Sequence, residues 1–229
     1  MSKKNTAATI ATIIVAVLAI ATTLFLLYQT SQQQIQENQY NYVPSDEVNE
    51  EMNMNAVTLI KNNCEVFRIY LQYGLPHQAE PYNNVPEDGY YTVKSDSYKT
   101  FSDIETLVNS TFVGKEAKRI LTNINGDDVA VYAEETDDDG NKGIGLDIKM
   151  VDENGRFKAI AYDYTWSNAK FTLHPKSNTE CDIIVELNPA EETSSADTSS
   201  GSESGNTKKI TPANMLKVNG QWRLQKLVY

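Results

Sequence analysis

The chain has 229 residues, with 20 Lys and Arg against 31 Asp and Glu, which gives a formal net charge of −11. This length suits one or two domains, and so acidic a chain repels phosphate backbones, which disfavours nucleic-acid binding. With two histidines, two cysteines and no nucleophile-elbow, phosphate-loop, dinucleotide or metal-triad motif, we expect no enzyme, no metal site and no cofactor.

An uncharged stretch of 22 residues, 7–28, lies near the N-terminus. As a helix it measures roughly 33 Å, which is long enough to cross the hydrocarbon core of a bilayer. Because Lys3 and Lys4 precede it, the positive-inside rule puts residues 1–6 in the cytoplasm. We expect a single-pass protein, anchored in the lipid bilayer by residues 7–28, with its C-terminal domain extracytoplasmic. A cleaved signal peptide is the alternative, although its apolar region is usually shorter.

The extracytoplasmic part begins with a Gln- and Asn-rich stretch, 29–45, which we interpret as a polar stalk. A long helix is predicted from Ser45 to Gly74. Ser45 caps its first turn, and Asp46 and Glu47 in that turn interact favourably with the helix dipole. Apolar residues recur along it at three- and four-residue spacing and predict one buried face, namely Met52, Ala56, Ile60, Cys64, Phe67 and Leu71.

Two shorter helices and a series of strands follow. Ser102 and Glu105 match a capping box at the start of the first short helix, and the second short helix covers 114–122. Alternating, β-branched and aromatic runs predict the strands, at 90–96, 129–134, 145–151, 157–166, 170–174, 181–187, 213–218 and 221–228.

Turn residues indicate how these strands are connected. Asp139-Gly140-Asn141, Asn154-Gly155 and Asn219-Gly220 each supply residues that tolerate positive φ between strand-like runs. Hairpins connect antiparallel neighbours, so we predict an antiparallel meander sheet. With the long helix and short helices packed on this sheet, residues 46–229 form one α+β domain.

The stretch 188–209 is rich in Ser and acidic residues and contains no aromatic or large apolar residue. We interpret it as a disordered insertion between two strands. The entropy of loop closure rises only slowly with loop length, so deletion of 190–207 is expected to change the melting temperature little.

The two cysteines are both predicted to point at the core. Cys64 lies on the apolar face of the long helix, and Cys181 alternates in phase with Ile183, Val185 and Leu187. A disulfide between Cys64 and Cys181 is compatible with an extracytoplasmic location and would close a loop of more than 100 residues. Two separately buried thiols are the alternative, since only the Cα distance decides between them.

An acidic run, Asp137, Asp138 and Asp139, precedes Gly140 at a predicted hairpin tip. It does not fit the calcium loop of an EF-hand, because Lys142 stands at the sixth position and Ile148 at the twelfth. We interpret the run as a solvated tip that offers a contact surface to a basic partner.

Three aromatic residues share one face of a predicted strand: Tyr162, Tyr164 and Trp166. Strands favour such residues for core packing alone. If this face lines a concave sheet instead, it forms a pocket or binding surface. Asp163 lies on the opposite, small-residue face and has no second titratable group to act with.

Three stretches carry a family resemblance: YYTVKSDSYKTFSDIETLVNSTFVGKEAKRIL at 90–121, DVAVYAE at 128–134 and NGQWRLQKLVY at 219–229. Following a long helix, they resemble the NTF2-like or cystatin-like fold of extracytoplasmic bacterial domains. The first and last also resemble the IseA-type inhibitors of DL-endopeptidases, which block cell-wall hydrolases of the NlpC/P60 class. The resemblance implies an inhibitory protein contact, for which the acidic tip is the best candidate.

Three functions are compatible with the sequence. The first is a membrane-anchored interaction domain that inhibits or modulates a peptidoglycan hydrolase of the NlpC/P60 type. The second is a small-ligand-binding or sensory domain that uses the aromatic sheet face. The third, the least favoured, is an acid–base enzyme in an NTF2-like cavity, for which Asp163 is the only candidate.

Overall fold

The longest helix begins at the serine that its sequence marks as a cap. The computed structural model describes residues 42–78, 89–126, 129–136, 139–190 and 208–229, and helix α1 spans Asp46–Phe67. Ser45 Oγ accepts a hydrogen bond from Val48 N at 3.4 Å. The predicted apolar face is buried, except that Cys64 is only partly covered. The predicted start and orientation of this helix are therefore confirmed.

The end of α1 contains a feature that the sequence does not predict. The helix widens into a π-helical turn, Arg68–Gln72, in which Tyr73 N donates to Arg68 O at 2.8 Å. The chain then leaves the helix at Gly74, whose φ is +66°. Tyr132 supports this end, because its hydroxyl accepts from Leu75 N at 2.8 Å and donates to Ile69 O at 2.7 Å.

Helices α2 (Phe101–Thr111) and α3 (Gly114–Asn123) follow. The predicted capping box of Ser102 and Glu105 is wrong, because α2 begins two residues earlier. Its start is held by Asp103, whose Oδ2 accepts from the backbone N–H groups of Lys99 and Thr100, each at 2.8 Å. α3 is confirmed, with Ala117 and Ile120 buried.

A three-stranded antiparallel sheet holds β1 (Tyr90–Thr92), β2 (Tyr132–Thr136) and β3 (Lys142–Asp147), in the order β1-β3-β2. The predicted strand at 145–151 starts earlier and stops at Asp147. There the Asp147 side chain accepts from Lys149 N at 2.7 Å and caps a 3-10 turn, Ile148–Met150.

A second sheet is a four-stranded antiparallel meander of β4 (Tyr164–Ser177), β5 (Glu180–Pro189), β6 (Lys209–Val218) and β7 (Gln221–Leu224). The predicted pair of strands at 157–166 and 170–174 is wrong. From Tyr164 onward they form one strand, whose register shifts between Thr165 and Lys170. Residues 157–163 are not a strand, and Ile160 N donates instead to Leu71 O at 2.8 Å.

The core lies between the helices and the two sheets. The inward face of β5 is fully buried, as its alternation predicts, through Cys181, Ile183, Val185 and Leu187. Trp222 of β7 is 3% exposed. Helix α2 contacts both β2 and β7, so it connects the two sheets. The predicted α+β architecture of helices on antiparallel strands is thus confirmed, with two sheets in place of one.

Some predictions fall partly or wholly on residues that the structure does not describe. The predicted span 7–28 lies outside the described residues, and so does the stalk up to residue 41. Among the helices that are described, none is both long and apolar enough to cross a bilayer. β5 extends to Pro189 and β6 begins at Lys209, so ordered strand enters the predicted insertion 188–209 at both ends.

Candidate functional site

A pocket of about 810 Å³ opens where α1 ends, beside the first residues of β4 and the last residues of β5. One wall is the helix end, through Cys64, Arg68, Gln72 and Tyr73. The rest of the wall is formed by Tyr162, residues 164–168 and residues 188–190. We call this cavity the aromatic pocket.

The three predicted aromatic residues, Tyr162, Tyr164 and Trp166, all line the aromatic pocket. They also pack against the core, because each is half-buried beside buried apolar residues. Tyr162 contacts the Phe67 ring of α1 with 4.8 Å between centroids, and it contacts Tyr164 at 6.0 Å. The two interpretations of these side chains are therefore not exclusive, since they join the core to the pocket wall.

Two polar atoms of this wall lack hydrogen-bond partners among the described residues: Tyr162 Oη and Trp166 Nε1. Both atoms have almost no accessible surface, so each missing hydrogen bond costs the fold about 1–3 kcal/mol. Burial raises the pKa of Tyr162 to about 12, so its phenol is neutral and able to donate at pH 7. These two polar atoms thus belong to the packed part of the wall, behind the surface that faces the cavity.

The helical wall owes its shape to the π-helical turn, which widens the backbone at Arg68. Cys64 lies one turn earlier, and burial raises the pKa of its thiol to about 12. A cysteine reacts as the thiolate, so Cys64 is a poor nucleophile at neutral pH. Cys64 shapes the wall and supplies a weak S–H donor.

Arg68 is held in place by its helix neighbour Glu65. Arg68 Nε donates to Glu65 Oε2 at 2.8 Å, and Arg68 Nη2 donates to Glu65 Oε1 at 2.7 Å. Tyr98 Oη donates to the same Oε1 at 3.0 Å. The hydrogen bonds from Arg68 lower the pKa of Glu65, and those to Glu65 raise the pKa of Arg68. The guanidinium is therefore permanently charged and fixed at the pocket wall.

The two cysteines are free thiols, Cys64 on α1 and Cys181 on β5. Cys64 and Pro189, at the end of β5, both line the aromatic pocket. Cys181 lies eight residues earlier on β5, which is about 26 Å along a strand. A disulfide needs Cα atoms within about 7 Å, so the structure favours separate thiols.

Of the acidic tip, the structure describes Asp139, which is not among the residues that line the aromatic pocket. Asp139 is exposed at the β2–β3 hairpin, whereas Asp137 and Asp138 lie outside the described residues. Asp163 does not line the pocket, and its side chain is exposed. Its backbone carbonyl accepts from Ala190 N at 2.8 Å, which ties the start of β4 to the end of β5.

The pocket contains residues that sequence reasoning missed, chiefly Arg68, Gln72 and Asn188. The spacing of Glu65 and Arg68 was visible as an i,i+3 ion pair on one helix face. What the sequence did not show is that this face meets residues about 100 positions later.

Lys209 adds a cation beside the pocket, with Nζ 5.0 Å from the Tyr162 centroid and 5.4 Å from the Tyr164 centroid.

Comparison with known proteins yields no matching family model and no matching curated protein. What the aromatic pocket does is therefore inferred from its own geometry and chemistry.

Proposed function

We propose that this chain is a binding protein whose extracytoplasmic domain holds a small molecule in the aromatic pocket. The observation that carries the proposal is the pocket itself. Its volume of about 810 Å³ lies within the range of roughly 300–1,000 Å³ that small-ligand sites occupy. Aromatic rings form one wall, and a few polar groups stand at fixed positions around it, as such sites require.

The chemistry of the pocket supports binding rather than catalysis. The described residues that line it include no His, Asp or Glu, and its one thiol is protonated at neutral pH. Acid–base catalysis needs a pair of titratable groups with separated pKa values in one cleft. We therefore propose a non-enzymatic role, such as sensing or delivering the ligand.

The location and the finer fold are part of the same proposal. Residues 7–28 anchor the chain in a bilayer with the N-terminus cytoplasmic, on the strength of their length, lack of charge and preceding lysines. An NTF2-like or cystatin-like fold for residues 46–229 is supported by helices that precede antiparallel sheets and pack on them.

The binding proposal is tested with full-length protein and an extract of small molecules from its host. The protein is incubated with the extract and washed, and retained compounds are measured by mass spectrometry. Trp166→Ala should lose at least one compound that the wild type retains. Tyr90→Ala, which removes an exposed aromatic residue outside the pocket, should keep it. Equal retention by wild type and Trp166→Ala would refute the proposal.

A second function is favoured by the exposed acidic hairpin tip. Asp139 projects from the β2–β3 turn, where Gly140 has a φ of +82°. We propose that this tip contacts a basic surface of a cell-wall hydrolase of the NlpC/P60 class and inhibits it. The full-length chain should slow peptidoglycan hydrolysis, and replacement of Asp137, Asp138 and Asp139 by Asn should abolish the effect.

The matched control for the tip replaces three exposed acids elsewhere, Glu47, Glu50 and Glu153, by Gln. These three acids lie outside the tip, so their neutralisation changes the net charge by the same three units without altering the tip. Inhibition that falls equally in both variants would indicate a general charge effect, and the specific contact would be refuted. No inhibition by the wild type would remove the hydrolase proposal altogether.

A further inference from the structure

Two helices of this protein carry the same ion pair at the same spacing. Glu65 pairs with Arg68 at the end of α1, and Glu116 pairs with Arg119 on α3. In both pairs the arginine donates side-on, through Nε and Nη2. The Arg119 distances are 2.9 Å from Nε to Glu116 Oε2 and 2.8 Å from Nη2 to Oε1, close to those of Arg68.

The pairs differ in what happens to the third guanidinium nitrogen. Arg119 Nη1 donates to Ile124 O at 3.1 Å, so that arginine secures the end of its helix. Arg68 Nη1 has no hydrogen-bond partner among the described residues. The side-on contact with Glu65 also leaves the second N–H of Nη2 free. Arg68 therefore keeps an unused end-on pair of donors, on a side chain that lines the aromatic pocket.

The charge around the pocket contrasts with that of the whole chain. The formal net charge is −11, yet no Asp or Glu is found among the described residues that line the pocket. Glu65, the carboxylate nearest Arg68, already accepts from Arg68 and from Tyr98. A second cation, Lys209 Nζ, lies over the Tyr162 and Tyr164 rings. Cations thus flank an aromatic wall in an otherwise acidic protein.

We propose that Arg68 binds the carboxylate of a planar ligand whose ring lies on the aromatic wall. This inference rests on the proposed binding function and specifies its ligand class. The two N–H groups at the end of a guanidinium match the two oxygens of a carboxylate, and such bidentate contacts are strong and directional. The fixed position of Arg68 reduces the conformational entropy lost on binding.

The experiment uses full-length protein labelled with 5-fluorotryptophan, which gives two fluorine resonances. Trp166 reports on the pocket, and Trp222, buried in β7, is the internal control. The probes are 2-naphthoate and its neutral amide, 2-naphthamide, which share a ring and differ in charge. Titration of each probe gives its Kd from the shift of the Trp166 resonance, assigned with Trp166→Phe.

We expect 2-naphthoate to bind more tightly than 2-naphthamide to the wild type. Arg68→Gln should weaken 2-naphthoate about tenfold, the scale of a charged hydrogen bond, and change 2-naphthamide by less than about twofold. In Arg68→Gln, the unpaired Glu65 carboxylate could repel 2-naphthoate and weaken its binding. The double variant Glu65→Gln/Arg68→Gln removes that repulsion and should show the same loss. Arg119→Gln changes the arginine of the equivalent ion pair on α3, which does not line the pocket, and should leave both affinities unchanged.

The outcomes separate the two proposals. If both probes shift Trp166 with equal affinity and Arg68→Gln changes neither, the carboxylate proposal is overturned while the binding pocket stands. If neither probe shifts Trp166 in the folded wild type, the carboxylate proposal is overturned, whereas the binding proposal is still decided by retention of compounds from the host extract. Circular dichroism of each variant verifies that the helices are intact.

Discussion

At the scale of single residues, a few buried polar side chains secure the C-terminal segment. Asn63 of α1 is fully buried and makes two hydrogen bonds with Val228, from Nδ2 to the carbonyl and from the backbone N–H to Oδ1, both at 2.9 Å. Glu116 of α3 accepts from Leu227 N at 2.9 Å. Tyr229 stacks on Phe67, with 5.7 Å between ring centroids. These contacts pair helices with residues more than 100 positions away.

The first prediction concerns the pH dependence that Glu116 gives to stability. Burial alone would raise the pKa of Glu116, but hydrogen bonds from Arg119 and Leu227 N outweigh it and hold the pKa below its ordinary value. The carboxylate therefore stabilises the fold above its unfolded pKa, and this contribution is lost as pH falls through the folded pKa. Glu116→Gln should reduce the free energy of unfolding by about 1–2 kcal/mol at pH 7.

Urea unfolding at pH 7 and pH 4 provides the measurement. The wild type should lose more stability than Glu116→Gln across this interval, because the variant has no carboxylate to protonate there. Glu153→Gln, at an exposed turn, should keep the wild-type pH dependence. Equal pH dependence in wild type and Glu116→Gln would show that the Leu227 contact does not stabilise the fold.

A second prediction concerns Trp222. This side chain is 3% exposed, and its Nε1 donates to Glu51 Oε1 at 3.1 Å. Trp222→Ala should reduce the free energy of unfolding by about 3–5 kcal/mol, as is usual for large buried aromatic residues. Chemical denaturation measures the change. A loss below about 1 kcal/mol would mean that the indole is not part of the core.

At the scale of elements, the end of α1 determines the pocket. The π-helical turn Arg68–Gln72 widens the helix, and the chain then leaves it at Gly74. Gly74 lies next to Phe157, in the segment that precedes β4. A Cβ on Gly74 would lie 2.5 Å from Phe157 Cδ2, so the backbone approaches that ring too closely for a side chain. Leu71 O also accepts from Ile160 N. The turn and residues 157–163 are therefore one packed unit.

The third prediction tests this close approach. Gly74→Ala places a side chain at positive φ, which costs roughly 1–2 kcal/mol, and adds a clash with Phe157. We expect a total loss of at least about 2 kcal/mol in the free energy of unfolding. Gly126→Ala is the matched control, because Gly126 has a φ of +81° and no atom within 4 Å of its Cβ position. If both variants lose the same stability, the Phe157 contact has no energetic importance.

At the scale of the whole molecule, three helices cover two antiparallel sheets in the described residues from Pro44 to Tyr229, which form one compact unit. Long-range pairing holds this unit together. Val113 N of the α2–α3 connection donates to Leu224 O of β7 at 2.9 Å, and α2 contacts both sheets. The stability of the unit therefore depends on contacts between segments that are far apart in sequence.

The fourth prediction concerns the acidic Ser-rich segment. Residues 191–207 contain no aromatic or large apolar residue, whereas Ala190 is bonded to Asp163 and belongs to the pocket wall. Deletion of 191–207 leaves a four-residue connection between the paired residues Leu187 and Lys209, a length common in β-hairpins. The melting temperature should change by less than about 3 °C, since closure entropy depends weakly on loop length. A fall of about 10 °C or more would show that the segment packs.

The sequence by itself determined the features that depend on neighbours within about four residues. Ser45 caps α1, the apolar face of that helix is buried, and Asn219-Gly220 turns β6 into β7 with φ values of 51° and 81°. These follow from helix periodicity and local backbone sterics, which the residue types themselves specify. Part of the aromatic side of the pocket was predictable for the same reason, since alternation placed Tyr164 and Trp166 on one face of a strand, whereas Tyr162 lies before β4 begins.

Only the tertiary structure decided which segments meet. The two cysteines are separate free thiols, one continuous strand with a register shift replaces two predicted strands, and Arg68 and Trp166 line one cavity. Each results from long-range packing, in which a buried contact outweighs the local preference of either segment. The sequence alone therefore identified the aromatic residues of the candidate site, and the fold supplied the arginine that lines the same pocket.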